Sequence, residues 1–163
     1  MHAHTALLIV DVQHGFINPA TAHIPPRVQA LQHDYPLVIV TRFVNLPDSN
    51  YRRLIHWHRF APGSSDIALS FVPRPDSVIL DKPRYTCVDE TFLAILDTHA
   101  IEEVHVCGIN TDICVTKCAV DLFEAGRTPV VLAGYCASHA GSDFHEAALR
   151  ILARFIGHDQ IRW

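Results

Sequence analysis

Three side chains far apart in the chain could together cleave a carbonyl compound: an acid, Asp11, a lysine, Lys82, and a cysteine, Cys114. A thiolate attacks carbonyl carbon, a neighbouring ammonium favours the thiolate, and a carboxylate can take the thiol proton and hand it to a leaving group. Cys114 lies in Cys107-Gly108-Ile109-Asn110-Thr111-Asp112-Ile113-Cys114-Val115, where an apolar run turns through one glycine into a helical pattern. Thr111 is the expected N-cap of that helix, and the positive end of the helix dipole is expected to push Cys114 toward thiolate, making it the most acidic of the five thiols. Taken singly, each residue has a plainer reading. Cys114 could be a small buried hydrophobe, Asp11 a cap for the segment that follows, and Asp81-Lys82 a solvated ion pair.

Positioning these residues requires elements that end side by side. Ala6–Val10, Leu37–Val40, Ser77–Leu80, Val104–Cys107 and Pro129–Leu132 are apolar runs of strand length without polar alternation, which implies strands covered on both faces of a parallel sheet. Ile161–Trp163 is a candidate sixth strand. Helical patterns fall between them. A short one covers Arg27–His33, and Asp89–His99 carries Phe92, Leu93, Ile95 and Leu96. After Cys114, Val115, Cys118, Ala119, Leu122 and Phe123 recur at the spacing of a packed helix face, ending at Gly126. A last helix places Ala147, Ala148, Ile151, Leu152, Phe155 and Ile156 on one face, opened by Asp143 with Glu146 as a capping box and closed by Gly157. This alternation predicts a doubly wound α/β fold, one domain over residues 1–163. Ligands of such sheets bind beyond the carboxyl ends of the strands, where Asp11, Arg42, Asp81-Lys82, the Cys114 turn and the Gly134–His139 stretch all fall.

Composition narrows the function classes. Hydrophobic residues make up 49% and charged residues 18%, which fits a globular chain. A net charge of −4 with no basic run argues against nucleic acid as a partner. No apolar stretch is long enough to span a bilayer, and Met1–Thr5 lacks the sections of a signal peptide. Five cysteines, odd in number and without a C-x-x-C pair, point to reduced thiols and a cytoplasmic setting. Neither G-x-G-x-x-G nor a P-loop follows the first strand, so no dinucleotide or nucleotide cofactor is expected. His56-Trp57-His58 could suggest a metal pair, but no carboxylate stands near it, and these histidines also suit a surface or a pocket wall.

Val10-Asp11-Val12-Gln13 with Gly15-Phe16, then Asp81-Lys82-Pro83-Arg84-Tyr85, then Gly108–Val115 and Asp121–Gly126 resemble the isochorismatase-like cysteine hydrolases, a superfamily of isochorismatases, nicotinamidases and N-carbamoylsarcosine amidases. The resemblance covers nearly the whole chain, in order. It implies a three-layer α/β/α fold with a six-stranded parallel sheet ordered 3-2-1-4-5-6, and a triad of Asp11, Lys82 and Cys114. It also implies a cis peptide joining Ile109 to Asn110, and an oxyanion hole made by the backbone amides of Asn110 and Cys114. Two departures matter. Nicotinamidases carry an Asp-x-His metal pair after the second strand, where this chain has Arg42-Phe43-Val44-Asn45, and Asn110 replaces a small residue. No metal and no other cofactor are therefore expected.

The expected activity is hydrolysis of a small-molecule amide or related C–N bond through a thioester on Cys114. Vinyl-ether hydrolysis of the isochorismate type, and a non-catalytic or redox-sensing protein on the same scaffold, are the alternatives. Phe16, Asn45, Tyr51, Trp57 and Tyr85 are the expected substrate-binding residues, with Arg52 and Arg59 supplying guanidinium groups for a carboxylate. The irregular stretch from Arg42 to Asp76 that bears most of them is equally suited to a subunit interface, and a homo-oligomer, dimer or tetramer, is expected.

Overall fold

The computed structural model describes residues 4–163, so Met1–Ala3, part of the stretch read for a signal peptide, lie outside it. The apolar runs form six strands: β1 (Thr5–Val10), β2 (Leu37–Phe43), β3 (Val78–Lys82), β4 (Glu103–Ile109), β5 (Thr128–Ala137) and β6 (Ile161–Arg162). They pair in the order β3-β2-β1-β4-β5-β6, and every pairing is parallel. β1 is central and fully buried, its successive side chains passing to opposite faces, as its unbroken apolar sequence requires. β3 differs from expectation. It is an edge strand whose residues alternate between inner and outer faces, and Ile79 is 46% exposed.

Five α-helices connect or flank the strands: α1 (Ile24–Leu31), α2 (Asn50–Leu54), α3 (Glu90–Thr98), α4 (Thr116–Glu124) and α5 (Ser142–Ile156). α1 starts earlier than the apolar pattern suggests because Pro25 and Pro26 occupy its first turn, where a missing N–H costs nothing. The Asp89 carboxylate caps α3 by accepting from the Phe92 amide. The capping box expected at Asp143 and Glu146 is absent, since Gly141 precedes α5 and no side chain caps it. Ala148, Leu149, Leu152, Ala153 and Ile156 form the buried face of α5, while Ile151 and Phe155, expected there, are exposed with Phe144. Phe123 of α4 is likewise exposed, one residue past the buried stripe that ends at Leu122.

Because the chain builds β2 and β3 on one side of β1 and then crosses to β4 on the other, β1 and β4 flank the point where the strand order reverses. A crevice opens there beyond the strand ends. Gly108 makes the junction possible. Its φ is +120°, and a Cβ there would lie 2.1 Å from the Val10 carbonyl oxygen, so any side chain would drive β4 away from β1.

Candidate functional site

Asp11 is the first residue beyond β1 and has no exposed surface. Its backbone is held at φ +48°, a left-handed conformation unusual for an aspartate. Two neighbours impose it: the Asp11 amide donates to Thr41, and the Gln13 amide donates back to the Asp11 carbonyl. The carboxylate is divided between two partners. Thr41 Oγ1 donates to Oδ1 at 2.7 Å, and Lys82 Nζ donates to Oδ2 at 2.6 Å. Lys82 closes β3, directly opposite Phe43 in the parallel register, and is 3% exposed. Its other donors go to the Arg84 carbonyl at 3.0 Å and to Cys114 Sγ at 3.5 Å, so the ammonium bridges acid and thiol. Burial by itself would lower the Lys82 pKa, but the Asp11 carboxylate outweighs it and holds the lysine charged, above its usual value.

Cys114 sits in a five-residue π-helical turn, Thr111–Val115, which runs directly into α4. Thr111 does not cap it. Its hydroxyl is bonded to His145 Nδ1 of α5 at 2.7 Å, and the N-cap position belongs to Asn110, whose side chain makes no cap bond. The expected acidic thiol is overturned as well. Burial pushes the Cys114 thiol well above its ordinary value; Lys82 pulls it down, while the charge of Asp11 and a hydrogen bond to that carboxylate raise it further. A helix N-terminus is worth about 0.3–1 kcal/mol to an anion, whereas taking a charge fully out of water costs several kcal/mol, so burial wins. Cys118, one helical turn on, is the thiol drawn below its ordinary value, chiefly by its sulfur contact with Cys87. The resting site therefore holds a protonated Cys114 beside a carboxylate that can receive its proton.

The Ile109–Asn110 peptide that leads into the turn is cis. Above Cys114 lies a cavity of about 290 Å³ lined by Phe16, Phe43, Ile55, Trp57, Tyr85, Asn110, Ile113 and His139. Phe43 and Trp57 stack with their planes 7° apart, and Phe16 packs on Phe60 behind them. Gly15 allows this, since a Cβ there would lie 2.4 Å from the Phe60 ring. A larger, more open groove of about 690 Å³ runs past Leu46, Tyr51, Leu54 and Arg84 outside the cavity and shares Ile55 and Tyr85 with it. None of Asp11, Lys82 and Cys114 lines that groove, so the smaller cavity is the one that meets the chemistry.

Of the expected binding residues, Phe16, Trp57 and Tyr85 line the cavity, and Asn45 and Tyr51 do not. Asn45 is fully buried as a loop clamp: Nδ2 donates to the carbonyls of Trp57 and Arg59, and Oδ1 accepts from Ser49. Tyr51 stands behind the wall, edge-on to both Phe43 and Tyr85, and burial raises its phenol to about 12. The guanidinium groups are engaged elsewhere. Arg59 pairs with Asp66 at 2.7 Å, and Arg52 donates to the Asn45 carbonyl. Arg52 and Arg53 meet no carboxylate among the described residues, but no guanidinium of this segment lines the cavity at Cys114.

Sequence reasoning missed Thr41, Ile55 and Ile113, and gave His139 no role. Thr41 was detectable in principle, because a strand in parallel register beside β1 must place a residue next to Asp11. Ile55 and Ile113 carried no signal, being apolar residues in a loop and a turn. The two positions where a metal pair is implied by the resemblance do not fit a metal. Phe43 offers a hydrocarbon ring, and both polar ends of Asn45 are already bonded to protein. Among the described residues no three His, Cys, Asp or Glu side chains gather at one point, and no helix is long and apolar enough to cross a membrane.

Comparison with solved structures returns the same architecture. An isochorismatase-like hydrolase from Alkaliphilus metalliredigens superposes with a TM-score of 0.86 at 19% identity, covering 98% of this chain and 94% of the other. A cysteine hydrolase from Pseudomonas syringae pv. phaseolicola gives 0.85 at 22% identity, covering 99% and 89%. A pyrazinamidase of Pyrococcus horikoshii, in complex with zinc, gives 0.84 at 21% identity, covering 98% and 97%. At such identities the likeness speaks for the fold alone. No curated protein sequence is significantly similar to the chain. The family model of the isochorismatase domain, however, matches residues 5–158, from the start of β1 past the end of α5, and by that match the chain belongs to the isochorismatase-like hydrolase family.

Proposed function

We propose that the protein is a cysteine hydrolase that cleaves an amide or related C–N bond of a small, flat molecule through a thioester on Cys114. The observation that carries this reading is the position of Lys82 Nζ, 2.6 Å from Asp11 Oδ2 and 3.5 Å from Sγ of Cys114, which itself lines an aromatic cavity. Substrate enters between Phe43, Trp57 and Tyr85 with its carbonyl carbon over the sulfur. Sγ attacks as its proton passes to Asp11, and the backbone amides of Asn110 and Cys114 take the developing oxyanion. Asp11 then protonates the departing nitrogen, the C–N bond breaks, and a thioester remains. Water adds to that carbonyl with Asp11 as base, the C–S bond breaks, the carboxylic acid leaves, and the thiol regains its proton. Lys82 stays charged throughout and compensates whichever of Asp11 and Cys114 bears the negative charge.

The aromatic walls and the absence of an unpaired guanidinium beside the sulfur favour an uncharged planar substrate over a carboxylate. Phe43 and the fully bonded Asn45 support a reaction that needs no divalent metal, and five free, buried thiols suit a reducing, cytoplasmic setting. A panel of small amides, ureas and isochorismate, assayed with wild-type and Cys114→Ala protein before and after dialysis against a chelator, tests the proposal. Amide turnover lost in Cys114→Ala and kept after chelation is expected. Activity of Cys114→Ala within tenfold of wild type, a barrier change of about 1.4 kcal/mol, would exclude covalent catalysis, and retained isochorismate hydrolysis would favour vinyl-ether chemistry.

A further inference from the structure

Asn110 and His139 form a built polar edge on the otherwise apolar cavity. Asn110 is 2% exposed, and its Oδ1 accepts from the His139 backbone amide at 2.8 Å. A backbone N–H can only donate, so this bond settles which end of the Asn110 amide is oxygen. The same oxygen lies 2.9 Å from His139 Nδ1, which must therefore carry a proton. In the neutral ring Nε2 is then an acceptor. The histidine is fixed from two further sides: Asn18 Nδ2, in an amide whose oxygen accepts from the Ala20 N–H, donates to its carbonyl at 2.8 Å, and Phe16 packs against the ring with centroids 5.7 Å apart.

Two polar atoms remain without a partner among the described residues: Asn110 Nδ2, a donor, and His139 Nε2, an acceptor. Both residues line the cavity beside Cys114. A donor and an acceptor held side by side in a cavity wall and bonded to no described protein group are open to a molecule bound there, which makes them reading groups and not mere lining. We propose that Asn110 and His139 set substrate specificity by pairing with an adjacent acceptor and donor on the substrate, so that the enzyme takes flat molecules bearing a lactam or ureide edge in addition to the bond that is cleaved. The side chain that replaces a small residue in the nucleophile turn thus serves recognition. The biological meaning rests on the hydrolase reading, but the recognition itself is a binding property and can be measured without turnover.

The test uses full-length Cys114→Ala protein and two ring probes small enough for the cavity, with binding followed by NMR titration. 2-Pyridone presents neighbouring C=O and N–H groups; 2-pyranone has the same ring and carbonyl with oxygen in place of N–H. 2-Pyridone is expected to bind at least tenfold more tightly. His139→Leu, in the same background, should bring the two probes within twofold of each other, and His139→Gln, whose amide oxygen accepts, should restore part of the preference. Asn110→Asp keeps an oxygen for the His139 contacts but turns the donor into an acceptor, and should shift preference to 2-aminopyridine, whose edge donates twice when protonated. Equal binding of 2-pyridone and 2-pyranone, no binding of 2-pyridone, or a preference that survives His139→Leu in protein with an unchanged spectrum would overturn the inference. None of these results bears on Cys114 chemistry, which the turnover assay decides separately.

Discussion

Replacing Lys82 with methionine isolates the interaction on which the site depends. Methionine keeps most of the stem in place beside Phe43, over whose ring the ammonium lies 5.5 Å from the centroid, and removes only the charge and its donors. Asp11 then stands with no exposed surface and only neutral side-chain partners, the Thr41 hydroxyl and the Cys114 thiol. Breaking a buried pair in this way costs about 3–5 kcal/mol, because the surviving charge is uncompensated. A carboxylate so stranded can escape by taking up a proton, which for an ordinary aspartate costs about 4 kcal/mol at pH 7, and this sets the ceiling. The variant's native state then binds a proton that its unfolded state has released, so its stability falls as pH rises above about 4, at roughly 1.4 kcal/mol per pH unit. Urea unfolding of both proteins at pH 5 and pH 7 measures the difference. A deficit of about 4 kcal/mol at pH 7, shrinking to about 1 kcal/mol at pH 5, is expected, together with loss of turnover. A deficit under 1 kcal/mol at pH 7, or one that does not shrink at pH 5, would refute the account of Lys82 as the counterion of a buried carboxylate.

Thr41→Val removes the hydroxyl that donates to Asp11 Oδ1 while preserving shape, and should cost about 1.5–3 kcal/mol in urea unfolding, the range for a hydrogen bond to a charged group. Asn45→Leu unties the carbonyls of Trp57 and Arg59, so amides of the segment between them should exchange faster with solvent and KM should rise more than kcat falls, because the wall and not the triad is loosened. Alkaline pH should destabilise the fold. Burial holds the Cys107, Cys114 and Cys136 thiols above their ordinary value of 9.0, Cys136 at about 12, so above pH 9 the unfolded chain releases protons that the native state keeps. Each such thiol contributes a loss of about 1.4 kcal/mol per pH unit until its own native titration is reached, and Cys136→Ala should flatten the decline between pH 9 and 12 by that amount.

What the sequence determined by itself is the frame. Apolar runs such as Ala6–Val10 have no polar face to turn outward, so they can only be interior strands, and the polar residues that end them fall at one edge of a parallel sheet. That is why Asp11, Lys82 and Cys114 could be read as neighbours although 71 and 32 residues separate the bonded pairs. The tertiary structure decided matters that depend on distance and burial and not on order along the chain. Asn45 and Trp57 belong to one irregular stretch and are equally suited to binding by type, yet the loop folds so that one is spent on backbone carbonyls and the other faces the cavity. The position of Cys114 at a helix start argued for a thiolate, and desolvation beside Asp11 reversed it, because the energy of removing a charge from water exceeds what a helix end supplies. The pairing of Asn110 with His139, 29 residues away, was not legible either. It arises because β4 and β5 run side by side and deliver both residues to the same strand ends, a juxtaposition created by the sheet and carried by no local pattern.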